Sequence, residues 1–513
     1  MPDATIPAAS RAAQTATAGD ARRWAWRLLA AVILITAYRG LALVFGHLNL
    51  YVDEAQYWTW AQALDWGFYS KPPMIALVIA ATTALFGNGV TAIKLGALLL
   101  YPVSTWLIWH IARHLFDARV AFWSALAFLL LPGVSFSSLI ISTDVPFFVF
   151  WCAALYAYLR ALDYDRWGWW LAAGIAGGAG LQTKYTMIIF PASVLLHLAA
   201  TPALRARLRS PKLWTAMLLA ALIFLPNLLW NAAHGWPTLR HTEDISHLDS
   251  NPGLHWSHLG DFLAGQFAVM GPILFAAWTT LTLWRPARWW ADPRYRLLGC
   301  FGLPFLVIIC GQALAGRANA NWGAMAYAAG TIFVVARLLQ LGALRLLLAG
   351  IVFNALLMPV AYHFDWWTRV AGVRLTTHTD PYKRVRGWPR LAQAFDALRR
   401  RYPRALLLAD ARDTIAELRY YLQPRPAEVV LWNPDGSIDN QYALTTTMND
   451  KRGRDFLYLG PPAALDARVR ASFAAADDLG AIHIPIDPGY ALDYHAWLLR
   501  DFRGYAGMRQ VPR

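Results

Sequence analysis

The apolar residues of this chain come in long runs. Between residues 25 and 362, stretches of about 17 to 25 mostly uncharged residues recur, each long enough to cross a bilayer as a helix. Short basic segments separate them, such as Arg205-Ala206-Arg207-Leu208-Arg209. In lipid every backbone N–H and C=O must be satisfied within the spanning segment, so runs of this kind fold as a packed helical bundle. Of the 513 residues, 57% are hydrophobic and only 15% charged, against about a quarter charged in an ordinary soluble chain. The net charge of +15 would suit a nucleic-acid binder. The arginines, however, sit in short loops between apolar runs, where they set topology and attract anionic membrane lipid. No nucleic-acid partner is expected.

Spans are expected at 25–47, 91–112, 120–139, 145–162, 167–183, 185–201, 213–232, 265–284, 297–315, 322–338 and 343–362, about eleven in all. Residues 1–24 read as a disordered cytoplasmic N-terminus, and the first span as an uncleaved anchor, since no clear small-residue cleavage site follows it. The inner loops then hold Arg113, Arg119, Arg166, Arg205, Arg207, Arg209, Lys212, Arg285, Arg288, Arg294, Arg296, Arg337 and Arg345. The opposite loops hold only Lys71, Lys184, Arg240 and Arg317. This asymmetry follows the positive-inside rule. Counting the short apolar segment 73–87 as a span would invert it, so that segment reads as an interfacial helix on the outer face.

Under this topology Asp53, Glu54, Lys71, Asp144, Lys184, His241, Glu243, Asp244 and Arg317 all face the non-cytoplasmic side. Carboxylates at membrane-water boundaries are costly and mark function. The odd span count also exports residues 363–513, which read as a small extracytoplasmic α/β domain. Its expected strands lie at 405–409, 429–432 and 456–459, with a helix at 414–422. The remaining residues, 25–362, form the membrane domain, with interfacial helices near 55–87.

Several motifs carry a resemblance. Asp53-Glu54 follows the first span, Lys71-Pro72-Pro73 leads into the interfacial segment, and Leu85-Phe86-Gly87 closes it. Arg113-His114-Leu115-Phe116 and Thr143-Asp144 extend the pattern. In order and spacing these resemble the bacterial branch of the protein mannosyltransferase-like superfamily, the aminoarabinose transferase (ArnT-like) glycosyltransferases of GT-C fold. The likeness is strong over 25–200, weaker to 362, and does not extend over 363–513. It implies a multi-pass bacterial inner-membrane enzyme with its active site facing the periplasm. The implied donor is a polyprenyl-phosphate sugar, and the implied acceptor a lipid A, lipopolysaccharide or other envelope glycan. A protein hydroxyl is the alternative acceptor. In this family the first aspartate is the base, which maps onto Asp53.

The chemistry of the residues agrees. A leaving phosphate needs cations more than a general acid, and Lys71 supplies a point charge on a flexible stem. Lys184, Arg317 and Arg39 are further candidates for that phosphate. An acceptor hydroxyl needs a base as it attacks; Asp144 could orient the acceptor or share in that work. Each residue also has a plainer reading. Asp53 and Glu54 suit a helix N-terminus, and Asp144-Val145-Pro146 suits an N-cap. Lys184 could snorkel to the interface, and Arg317 could anchor its turn. Glu54 could bind a divalent metal or hold Lys71. No cofactor is otherwise implied, and Ser70, where relatives can carry a carboxylate, weakens any metal. The segment from His241 to His247 has ligand types but no standard zinc spacing, and reads as a polar loop. Cys152, Cys300 and Cys310 read as small core residues. A flippase or transporter, the other class with many spans and few charges, would place its site near the midplane, often within internal repeats. No repeat is visible.

Overall fold

The computed structural model describes residues 18–46, 48–246 and 253–506. Helix occupies each of the eleven expected positions, but only six helices are long and apolar enough to cross a membrane by length and composition. They are Gly19–Phe45, Val90–Leu115, Asp144–Tyr164, Pro211–Ala233, Pro293–Ala315 and Leu344–Tyr362, and a bent pair raises the number to seven. This is the architecture of a multi-pass membrane protein. Shorter apolar helices fill other expected positions, among them Ala118–Leu129, Tyr185–Ala200 and Ala326–Gln340. The first helix begins at Ala18, within the segment read as disordered; residues 1–17 lie outside the described part.

Two expected spans are broken. The run 120–139 stops at Leu129 and restarts as Pro132–Ser137, because the Pro132 ring cannot donate into a continuing helix. The run 265–284 is two helices, Trp256–Met270 and Pro272–Leu283, bent by 116°. Gly271 between them has φ +90, and a Cβ there would lie 2.0 Å from Asn354 Oδ1. Only glycine reaches that conformation without penalty, and Asn354 Nδ2 donates to the freed Met270 carbonyl at 3.2 Å. Elsewhere small residues let helices close up. At Gly174 of the helix Trp167–Leu181 a Cβ would come within 2.5 Å of the Ala216 carbonyl oxygen. Close backbone approach at small residues is how apolar helices pack in lipid.

The chain divides into two compact units. One takes the residues up to Gly46 with Lys71–Val78 and Lys94–Phe364; the other takes His47–Ser70, Ile79–Ile93 and Asp365–Arg513. The boundary expected near 362 is therefore one of several, and the Asp53-Glu54 segment clusters with the C-terminal region.

That second unit holds a five-stranded sheet. Its strands are β1 (Leu406–Ala409), β2 (Val430–Leu431), β3 (Phe456–Gly460), β4 (Phe473–Asp487) and β5 (Tyr490–Phe502), in the order β2-β1-β3-β5-β4. β1 pairs in parallel with β2 and β3, Leu408 opposite Val430 and Tyr458. β5 runs antiparallel to β3 and β4. Leu408, Val430, Phe456, Phe473, Leu499 and Phe502 form the core. The three expected strands and the helix Arg412–Tyr421 are present. The β4–β5 hairpin was not among the expected strands: the first half of β4 is rich in Ala and Asp, which strands disfavour, although Ile482, Ile484 and Ile486 alternate in its second half.

Candidate active site

The functional candidates fall into two groups, one in each unit. In the second unit, Asp53 opens the helix Val52–Ala61. Glu54 stabilises that helix start. Its Oε2 accepts from the Tyr51 N–H at 2.8 Å, the return arm of a capping box, and the residue is fully buried. The plainer reading of Glu54 is the one the structure displays.

Asp53 is placed differently. Its Oδ1 accepts from Arg412 Nη1 at 2.9 Å, and the same nitrogen donates to Gln56 Oε1 at 3.1 Å. Both charged side chains remain accessible, Asp53 at 36% and Arg412 at 41%. Burial pulls the Arg412 guanidinium down, but the charge and hydrogen bond of Asp53 outweigh it, so its pKa lies above the ordinary value. Arg412 is the first residue of the helix Arg412–Tyr421, just past the end of β1. The helices that carry Asp53 and Arg412 are clamped together. Trp58 meets Tyr420 edge-on, with ring centres 5.1 Å apart, and the Leu50 N–H donates to Tyr421 Oη at 2.8 Å. Arg425 stacks 4.9 Å over Trp58 and 4.6 Å over Tyr420. Arg384 donates to Tyr51 Oη at 2.7 Å. Sequence reasoning missed Arg412: it lies 359 residues from Asp53, in a region where the family resemblance had ended.

The other group lies in the first unit. Asp144 begins the helix Asp144–Tyr164, and both of its oxygens are engaged. Lys184 Nζ donates to Oδ1 at 2.7 Å, and Asn321 Nδ2 donates to Oδ2 at 2.8 Å. The side chains of Lys184 and Asp144 are only 15% and 10% exposed, so solvent screens the pair little. Lys184 also stands 5.9 Å over the Phe147 ring. Lys184 thus holds a carboxylate in this structure rather than reaching out as a free snorkelling cation. The polar turn 316–321 delivers Asn321, not Arg317, to Asp144; Arg317 is exposed.

Lys71 is half-buried. The segment it begins is tied to the Lys184 turn, because the Met74 N–H donates to the Gln182 carbonyl at 3.0 Å. Two cations and one carboxylate therefore belong to adjoining backbone segments. Arg39 has another task. It is 2% exposed and donates to the Leu129 carbonyl at 2.6 Å and Ser135 Oγ at 3.0 Å, closing the break after Leu129. Its Nη2 is thus committed to a helix end, away from solvent. Lys94, which sequence reasoning passed over, is likewise buried and donates to the Leu139 carbonyl at 3.1 Å.

The polar segment 241–247 is not a loop. His241 and Glu243 lie on the helix Pro237–Ser246, and His247 is outside the described residues. Among the described residues no three His, Cys, Asp or Glu side chains converge to hold a metal ion. With Glu54 engaged at its helix start, the donor set around Asp53 does not fit a metal. The three cysteines are free, and Cys152 and Cys300 are buried.

Beside Lys184 the first unit contains an apolar cavity of about 620 Å³. Trp170, Gly174, Tyr185, Phe190, Ala220 and Leu228 contribute to its wall. Two of its polar wall residues are tied together: Asn231 Nδ2 donates to Tyr185 Oη at 3.1 Å, and Tyr185 Oη donates in turn to Asn227 Oδ1 behind the wall at 2.8 Å.

Comparison with known proteins gives a consistent picture. The family model described as dolichyl-phosphate-mannose-protein mannosyltransferase matches residues 70–230. The lipid A galacturonosyltransferase RgtD of Rhizobium johnstonii is 34% identical over 422 residues, 80% of this chain and 86% of that protein. Among solved structures, apo ArnT from Cupriavidus metallidurans superimposes with a TM-score of 0.63 at 15% identity, covering 93% of this chain and 98% of the other. The same protein bound to undecaprenyl phosphate gives 0.61 at 16% identity, over 92% and 98%.

Proposed function

This chain belongs to the bacterial ArnT-like GT-C glycosyltransferases, and from that premise we propose that it moves a galacturonosyl residue from a polyprenyl-phosphate donor to lipid A. The reaction takes place at the periplasmic face of the inner membrane. The observation that carries this reading is the near full-length 34% identity to a lipid A galacturonosyltransferase. The residues supply suitable chemistry. Asp53, at an accessible helix start, accepts the proton of the acceptor hydroxyl as it attacks the anomeric carbon. Lys71 faces the donor phosphate, whose charge concentrates on the leaving oxygen as the glycosidic bond breaks. Asp144 is a positioning carboxylate, held from both sides by Lys184 and Asn321. The apolar cavity beside Tyr185 suits a polyprenyl tail, for it offers a dry wall of helix side chains next to the Lys184 turn.

The test uses purified protein in detergent with a polyprenyl-phosphate galacturonosyl donor and a lipid A acceptor. Mass spectrometry of the lipid product should show the gain of one hexuronic acid, with release of polyprenyl phosphate. Turnover of the donor without transfer to lipid A, but with transfer to a lipopolysaccharide core oligosaccharide, would move the acceptor and leave the donor assignment standing. Translocation of an intact lipid-linked sugar without transfer would establish the flippase reading instead.

A further inference from the structure

A uronosyl donor presents this enzyme with a difficulty that a neutral sugar does not. Its C5 carboxylate is negative at neutral pH and lies across the ring oxygen from the anomeric carbon. The group that deprotonates the acceptor, Asp53, is also negative. Two carboxylates around one pyranose ring repel unless a cation stands between them.

The described structure holds a cation beside Asp53. Arg412 bonds Asp53 and Gln56 through Nη1 alone. Its Nε and Nη2 have no hydrogen-bond partner among the described residues. A guanidinium carries five donors in a planar fork, and one edge can take a carboxylate bidentately while another keeps an existing partner. The Asp53 pair is too exposed, at 36% and 41%, to contribute much to stability. Two other arginines stand near this helix, and neither bonds Asp53. Arg384 donates to Tyr51 Oη, and Arg425 stacks on Trp58 and donates to the carbonyls of Asn88 and Tyr420. The base of Arg412 is well fixed for such a task. It starts a helix just past β1, and the burial of Leu408, Ala409 and Ile415 anchors it on both sides.

We infer that Arg412 is a specificity-determining residue: its free Nε–Nη2 edge binds the sugar carboxylate of a uronosyl donor while Nη1 keeps Asp53 in place. The inference rests on the galacturonosyl reading above. The guanidinium then neutralises the incoming charge and orients the ring against the base. A neutral hexosyl donor leaves the same edge unpaired, so the residue selects for the acid.

The experiment compares two donors that differ only at C6, polyprenyl-phosphate galacturonate and polyprenyl-phosphate galactose. With the acceptor withheld neither lipid is transferred, and the dissociation constant of each is measured by direct binding. Arg412→Gln should raise that of the galacturonosyl lipid by about 10- to 150-fold, the range for hydrogen bonds to a charged group. That of the galactosyl lipid should change less than threefold. Arg412→Lys, which keeps the charge but not the fork, should recover part of the preference. Equal changes in the two dissociation constants, or none in either, with turnover still lowered would overturn the inference and reduce Arg412 to a support for Asp53. If Arg412→Gln cannot be purified folded, the same ratio read in Arg412→Lys decides the matter. Failure of the galacturonosyl reading looks different: the wild-type protein would then prefer the galactosyl lipid.

Discussion

Replacing Lys184 with Met tests whether it serves Asp144 or the substrate. In the structure its ammonium donates to Asp144 Oδ1 at 2.7 Å, while Asn321 holds Oδ2 at 2.8 Å. Lys184→Met keeps the length of the stem and removes one charge-assisted hydrogen bond, worth roughly 1.5–3 kcal/mol. Breaking a fully buried pair costs about 3–5 kcal/mol. Here the loss should be smaller, because Asn321 remains and 10% of the Asp144 side chain still reaches water. If Asp144 acts in the transition state, this corresponds to a drop of about 10- to 150-fold in kcat. The assay is a double-mutant cycle with Asp144→Asn, following turnover of the lipid-linked donor. A lysine that works through Asp144 has little left to lose once the carboxylate is gone. The double variant should then be about as active as the poorer single one, with a coupling of roughly 1–3 kcal/mol. The donor KM should change little in Lys184→Met. Costs that add to within about 0.5 kcal/mol, or a large rise in donor KM, would refute this reasoning and return Lys184 to the phosphate.

Other outcomes follow from the same geometry. Asp53→Asn should cut turnover by about a hundredfold or more with little change in donor binding, and near wild-type activity would remove Asp53 from the role of base. Lys71→Ala should raise the donor KM and lower kcat while sparing the acceptor KM, because a phosphate cation assists both binding and departure; an effect confined to the acceptor would relocate it. Gly271→Ala should destabilise the protein by roughly 1–3 kcal/mol, read as a lowered melting temperature in detergent, since φ is +90 there and Asn354 occupies the space; an unchanged melting temperature would mean that the 116° bend relaxes freely. An alkaline phosphatase fusion after Arg513 should be active and one within 205–212 inactive; the reverse pattern would place the C-terminal region in the cytoplasm.

The sequence by itself determined the class of the protein and supplied the candidates for its reactive residues. Runs of apolar residues leave helices as the solution in lipid, because no water is present to satisfy a backbone left open. The order of Asp53, Lys71 and Asp144 along the chain was enough to suggest a lipid-phosphate glycosyltransferase. Periodicity also located β1, β2 and β3, whose short Leu- and Val-rich runs are bounded by turn residues. Three-dimensional packing decided the rest, for reasons that local composition does not encode. Length and apolarity cannot tell a span from a break; Pro132 and Gly271-Pro272 allow one, but the partners that satisfy the freed carbonyls, Arg39 and Asn354, come from elsewhere in the fold. An arginine in a span can serve a substrate or cap a helix, and only its partners separate the two. Charge pairing between residues distant in the chain has no periodic signature at all. Asp144 meets Asn321 across 177 residues and Asp53 meets Arg412 across 359. Which cation each carboxylate would face was fixed by the fold, because a hydrogen bond depends on where two backbones bring their side chains and not on how either residue reads among its neighbours.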